Sequence, residues 1–306
     1  MSADLAIPHS KPHFAVPPGA CDCHMHIFGP AERYPAAATR TYTPRLASLA
    51  DYSKMAATIG LERVVFVQPS AYGTDNRCLL DALKQVGPSA RGVIVLDGTV
   101  SEAALQDMDR AGVRGVRLNL ASRVFRDAQQ IAAMIHAAAD RVGPLGWHIQ
   151  LFTDVTVIQA LADTLKHATV PVVFDHMALA DGRLGNTQAG LAALLGLVSA
   201  GQCWAKLSGC YRVSRNEPDF PDAGQIVRAL IAANPDRLVW GTDWPHTASH
   251  GHAHGSDPPL IDYRPLDDGH LIDLLADWVN DTAVLEKVLV TNPARLYGGG
   301  EPPNRW

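Results

Sequence analysis

Eight times along this chain a short run rich in β-branched residues gives way to a stretch with helical spacing. That alternation restricts the fold more than any other feature. The β-rich runs are 20–27, 63–68, 92–96, 115–120, 147–152, 170–175, 203–208 and 237–241. Between them, Ile131, Met134, Ile135 and Ala138 follow i, i+3, i+4, i+7, with Asp127 placed as an N-cap. Leu271, Leu274, Leu275 and Trp278 repeat the pattern, and 154–167 and 190–200 are also helical by spacing. The β-rich runs are apolar on both faces, as parallel strands covered by helices are. A closed (β/α)8 barrel of the TIM type, slightly distorted, is the expected fold. An open doubly wound sheet usually carries a glycine-rich phosphate loop after an early strand, and neither G-x-G-x-x-G nor a P-loop occurs here. At 306 residues the chain exceeds the usual single-core size, but barrels reach that length as one domain. We therefore expect a single barrel domain over 1–306, with an N-terminal extension at 1–19 and a long loop at 246–265 over the mouth.

Composition removes several classes of function. The 26 Lys and Arg against 31 Asp and Glu give a net charge of −5, with no basic block. Such a chain is a poor nucleic-acid binder, because phosphate neutralisation supplies most of that affinity. No apolar run reaches the length of about 18 residues that a membrane helix needs. Residues 1–20 hold four prolines and two histidines but no apolar core of a secretory signal. The five cysteines (Cys21, Cys23, Cys78, Cys203 and Cys210) form no C-x-x-C pair, so they read as buried thiols in a reducing cytoplasm.

Barrel chemistry sits at the C-terminal strand ends, so the residues closing each run carry the functional reading. The first run ends Asp22-Cys23-His24-Met25-His26, and period-two spacing puts both histidines on one face. The second ends Gln68-Pro69-Ser70. The fourth carries Arg117 and Asn119, with Arg123 shortly after; the fifth carries His148 and Gln150. The sixth ends Asp175-His176, and the seventh reads Lys206-Leu207-Ser208 before Tyr211 and Arg212. The eighth ends Gly241-Thr242-Asp243-Trp244-Pro245-His246. Any one of these histidines could be a satisfied core residue. His24, His26, His176 and Asp243 together would meet in one barrel mouth.

These motifs resemble the amidohydrolase superfamily, and within it the branch containing 2-pyrone-4,6-dicarboxylate lactonase. The resemblance covers nearly the whole chain. It is carried by Pro18-Gly19-Ala20, His24-Met25-His26-Ile27-Phe28-Gly29-Pro30, Val67-Gln68-Pro69-Ser70 with Gly73-Thr74-Asp75, and Gly115-Val116-Arg117-Leu118-Asn119. Asp175-His176-Met177, Trp240-Gly241-Thr242-Asp243-Trp244-Pro245-His246 and Val290-Thr291-Asn292-Pro293-Ala294-Arg295-Leu296-Tyr297 complete it. The resemblance implies hydrolysis of a small anionic lactone in which Asp243 activates water and His24, His26 and His176 polarise the carbonyl. Arg117, Arg123 and Arg212 match arginines that grip substrate carboxylates, a task suited to a planar fork of donors. Tyr42 and Ser70 match further substrate positions. Gln150, Tyr211 and His246 join the substrate set by strand position alone. The fifth run ends Gln150-Leu151-Phe152, where the dicarboxylate lactonase has a tyrosine near the last position, so the ring that is opened stays open between related lactones.

The histidines can act as hydrogen-bond donors or can hold one divalent ion, zinc foremost, with Asp243. The fourth run offers no lysine to bridge two metals, and the resemblance favours chemistry with no cofactor. Branch members that act on sulfomuconolactone or aldarolactones, including isomerases, are alternatives. So is a metal-dependent decarboxylase of the same superfamily. A binding or scaffold barrel is the reading outside enzymology. Histidines at 246, 250, 252 and 254 form a tract read as a lid or subunit contact before a metal site.

Overall fold

A computed structural model describes residues 7–121, 127–248 and 258–298. Eight parallel strands stand in sequence order: β1 (Cys21–Met25), β2 (Arg63–Val67), β3 (Ala90–Ile94), β4 (Val113–Asn119), β5 (His148–Phe152), β6 (Val172–Phe174), β7 (Cys203–Leu207) and β8 (Leu238–Trp240). Each lies within or overlaps one of the eight β-rich runs, and helices cross between them, as the TIM-type barrel requires. Asp127 caps the helix Ala128–Val142 by accepting from the Gln129 N–H, and that helix buries Ile131, Ile135, Ala139 and Val142. The stretch 154–167 splits into Val155–Ala160 and Ala162–Lys166.

The barrel closes between β8 and β1. The Asp243 N–H donates to the His24 carbonyl at 2.8 Å, and the His26 N–H donates to the Trp244 carbonyl at 2.8 Å. Gly241 makes this approach feasible, since a Cβ there would lie 2.6 Å from the His24 nitrogen. Asp22 staples the seam. It accepts from the N–H groups of His24 and Thr242 at 3.0 Å each, and from the Thr242 and Tyr52 hydroxyls at 2.6 and 3.2 Å. Burial raises its carboxyl to about 6, against the pull of those hydrogen bonds.

β1 carries a bulge. Cys21 pairs with Arg63 and Asp22 with Val64, but Met25 pairs with Phe66, so one residue is extra on β1. The bulge lets Cys21 and Cys23 face the lumen while His24, next in sequence, faces it too. The lower lumen is apolar: Cys21, Cys23, Val65, Val67, Val93, Val173, Trp204 and Val239 pack with Tyr297. All five cysteines are buried and free.

A two-residue ribbon, Thr43–Pro44 parallel to Leu260–Ile261, was not legible beforehand. The Thr43 N–H donates to Pro259 and its hydroxyl to Pro258, at 2.8 and 2.9 Å. Tyr263 then stacks on Phe28 with ring centroids 5.8 Å apart. The start and end of the expected 246–265 loop are thereby fixed, while His250, His252 and His254 lie outside the described residues. Among the described residues no helix is long and apolar enough to cross a membrane.

Candidate active site

Four elements bring the predicted chemical residues together. Asp243 Oδ1 lies 3.7 Å from His24 Nε2, 3.5 Å from His26 Nε2 and 3.7 Å from His176 Nε2. The other oxygen, Oδ2, accepts from the Tyr211 hydroxyl at 2.6 Å and from Arg212 Nε at 2.7 Å. The carboxylate is therefore divided. One oxygen is saturated, and the other accepts no hydrogen bond in the middle of three imidazoles.

Each histidine has its own anchor. His26 Nδ1 donates to the Val67 carbonyl at 2.8 Å, because a carbonyl can only accept. His176 Nδ1 pairs with the Ser208 hydroxyl at 2.9 Å. His24 Nδ1 lies 3.3 Å from Lys206 Nζ and 3.2 Å from Asp175 Oδ1. The sixth β-rich run was expected to extend to Asp175, but β6 stops at Phe174. His176, Met177, Ala178 and Leu179 then turn left-handed, at φ of 49°, 53°, 54° and 47°. Asp243 and His246 are also left-handed, at 62° and 64°. Non-glycine residues pay roughly 1–2 kcal/mol for this conformation, and such strain collects at functional sites. Gly209 leaves the room that this turn needs: a Cβ there would sit 2.7 Å from His176 Nδ1.

Burial decides the charge states. It holds the His24 imidazole well below its ordinary value and lowers His176 to about 4, so both are neutral near pH 7. Burial pushes the Asp243 carboxyl up, but the Arg212 guanidinium, with His176 and its neighbours, outweighs it and holds the group well below the usual carboxylate range. Asp175 behaves alike: burial is outweighed by His24, Arg117 and Lys206. Burial keeps the Tyr211 hydroxyl far above its ordinary value, so it stays a donor.

Arg117 and Arg212 both reach this cluster. Arg117 Nε is held by Asp175 Oδ2 at 2.9 Å, and its guanidinium lies over the Phe152 ring, 4.9 Å from the centroid. Tyr42 hydrogen-bonds Ser70 and lies close enough to feel the charges of Arg212, Arg117 and Asp243. Arg123 falls outside the described residues. Two expected substrate residues lie deep, against other side chains. Gln150 is fully buried and accepts from Lys206 Nζ at 2.6 Å. His246 is fully buried with its Nε2 3.1 Å from Asp268, and its ring backs edge-on against Tyr211. The sequence reading did not single out Asp175, Lys206 or Phe152 as site residues. Lys206 was detectable as a charge inside an apolar run, Cys203-Trp204-Ala205-Lys206-Leu207.

The donor set fits a single divalent ion, since imidazole nitrogens and one carboxylate oxygen converge and two of those atoms, His24 Nε2 and Asp243 Oδ1, have no hydrogen bond. Arg117 and Asn119 on β4 supply no bridging ligand for a second.

The amidohydrolase family profile matches residues 21–254. The chain is 36% identical to 2-pyrone-4,6-dicarboxylate hydrolase of Comamonas testosteroni over 94% of this chain and 93% of that one. It is 33% identical to 4-sulfomuconolactone hydrolase of Hydrogenophaga intermedia, over 95% and 92%. A solved Pseudomonas putida structure, provisionally named a 2-pyrone-4,6-dicarboxylic acid hydrolase, superposes with a TM-score of 0.76 at 34% identity, covering 92% of this chain and 97% of that one. With a profile match across the strands that build the mouth and relatives alike over nearly their full length, the chain belongs to the amidohydrolase family.

Proposed function

We propose that this protein is a lactonase that opens the ring ester of a small anionic lactone. The observation that carries the reading is the divided carboxylate of Asp243. Its Oδ1 is ionised, unbonded and surrounded by three imidazoles, those of His24 and His176 neutral, while Tyr211 and Arg212 fix Oδ2. That arrangement suits a general base whose orientation is set before substrate arrives. Its relatives' names, which include a pyrone dicarboxylate hydrolase and a sulfomuconolactone hydrolase, agree with an anionic lactone.

In the proposed reaction a water placed against Asp243 Oδ1 attacks the lactone carbonyl. A new C–O bond forms and the water proton passes to Oδ1. The carbonyl oxygen becomes an oxyanion, stabilised by imidazole N–H donors of the histidine cluster. The tetrahedral carbon then expels the ring oxygen, and Asp243 returns its proton to that leaving group. Substrate carboxylates pair with Arg117, Arg212 and Arg123, with Tyr42 and Ser70 alongside. Asp175 engages Arg117 through Nε, which leaves its terminal amino groups as donors to a ligand. If a divalent ion is bound, His24, His26, His176 and Asp243 would hold it, and it would supply Lewis-acid polarisation of the carbonyl.

The test is incubation of the purified protein with 2-pyrone-4,6-dicarboxylate, following loss of pyrone absorbance, beside sulfomuconolactone and an aldarolactone. Ring opening of any of these with water incorporated into the acid product supports the proposal. No turnover of all three, with or without added zinc, would sink it. Carbon dioxide released with no ring opened would favour the decarboxylase.

A further inference from the structure

Lys206 is a lysine with no exposed surface in the centre of the lumen, and the proposed reaction does not use it. We propose that Lys206 is a positioning residue that holds His24 as its Nε2–H tautomer and thereby weakens the grip of the His24, His26, His176 and Asp243 cluster on a divalent ion.

The argument is a count of protons. An ammonium has three donors and no acceptor. Lys206 Nζ lies 2.6 Å from Gln150 Oε1, 2.8 Å from the Cys23 carbonyl and 3.3 Å from His24 Nδ1. Three acceptors take three protons, so His24 Nδ1 accepts. A neutral imidazole whose Nδ1 accepts carries its proton on Nε2. That is the atom turned toward Asp243 Oδ1 and toward the space an ion would occupy.

Asp175 is the rival for the same nitrogen. Its Oδ1 is 3.2 Å from His24 Nδ1, yet it accepts no hydrogen bond, while its Oδ2 is held by Arg117. A carboxylate taking an Nδ1 proton is the usual support behind a metal-bound histidine, because it bares Nε2 and makes it more basic. Here the lysine occupies that role with the opposite polarity. His26 shows the contrast two residues away: its Nδ1 donates to the Val67 carbonyl, where His24 Nδ1 accepts. Charge acts in the same direction. Arg117, Arg212 and Lys206 already outnumber Asp175 and Asp243, so the pocket favours an anion over a second pair of positive charges.

Two measurements test this, and neither needs a substrate. The first is 15N imidazole NMR of the native chain, with the His24 signals identified by their loss in His24→Gln. A protonated Nε2 and bare Nδ1 is the expected result; a protonated Nδ1 overturns the proposal without any change at Lys206. The second is titration with Co2+, followed by its visible absorption in native, Lys206→Met and Lys206→Met/Asp175→Asn proteins. Lys206→Met frees Nδ1–H to turn to Asp175, and should tighten Co2+ binding by about 10- to 100-fold. The double variant should lose that gain. Equal affinity in the native and Lys206→Met proteins would refute the coupling. A native chain that shows the Nε2–H signal but opens no lactone would uphold this proposal while ending the lactonase reading.

Discussion

The lumen of this barrel has two linings, and they are built by different rules. The floor is a set of small and aromatic apolar side chains, among them Cys21, Val65, Val93, Val173, Val239 and Tyr297, on backbone with no left-handed residue. A few ångströms above, the mouth consists of ionised and imidazole groups joined by short hydrogen bonds, with Asp243 and the turn from His176 to Leu179 held left-handed. The floor stabilises through packing, which is non-directional and tolerant of small shifts. The mouth spends part of that stability on fixed directions. Its carboxylates are desolvated and paired, which adds little net stability but sets where each oxygen points. The difference teaches that the floor is the scaffold that makes an otherwise unfavourable mouth tolerable.

The largest expected effect separates the two regions outright. Asp243→Asn keeps the size of the side chain and removes the proposed base, so kcat on an accepted lactone should fall by about 100- to 10,000-fold, with little change in thermal stability. Unfolding in step with the activity loss would show that the mouth also carries the fold.

A pH series probes both regions at once, since each buries a neutral histidine. Burial lowers His176 in the mouth to about 4 and His148, against Tyr297 of the floor, to about 3, from an ordinary 6.5. Protonation therefore favours the unfolded chain. Stability is complete above pH 6.5 and is lost as pH falls through those values, by about 3 kcal/mol for His176 and about 5 kcal/mol for His148. Urea midpoints between pH 7 and pH 4 should fall accordingly, and His148→Gln should flatten the profile. An unchanged slope in that variant would remove the floor from the account.

Arg212→Met gives the smallest of the three effects and sharpens the boundary. It removes a charged donor from Asp243 and the proposed grip on a substrate carboxylate, so kcat/KM should drop by about 10- to 100-fold, with most of the change in KM. Unaltered kinetic constants would place the anion contact elsewhere.

The barrel and its four chemical residues were legible because strand alternation and strand-end position are local properties. Features that depend on distant chain segments were not. The bulge in β1 has no glycine to announce it, and the Thr43–Pro44 ribbon pairs with residues more than 200 positions away. Gln150 accepts from Lys206 and His246 lies beside Asp268, pairings between separate elements that strand position alone does not give. Lys206 showed as a charge in an apolar run, yet its meaning depended on knowing that Asp175 and His24 flank it.

The seam stapled by Asp22 has a consequence for when function appears. Asp22 and Thr242 are 220 positions apart, and His24 and Asp243 face each other across that same join. Contacts of such separation are slow to form, because so long a loop must close first. The site therefore has no partial existence during folding. Until the last strand docks on the first, Asp243 and the pair His24 and His26 belong to opposite ends of an open sheet, and the onset of turnover marks completion of the barrel.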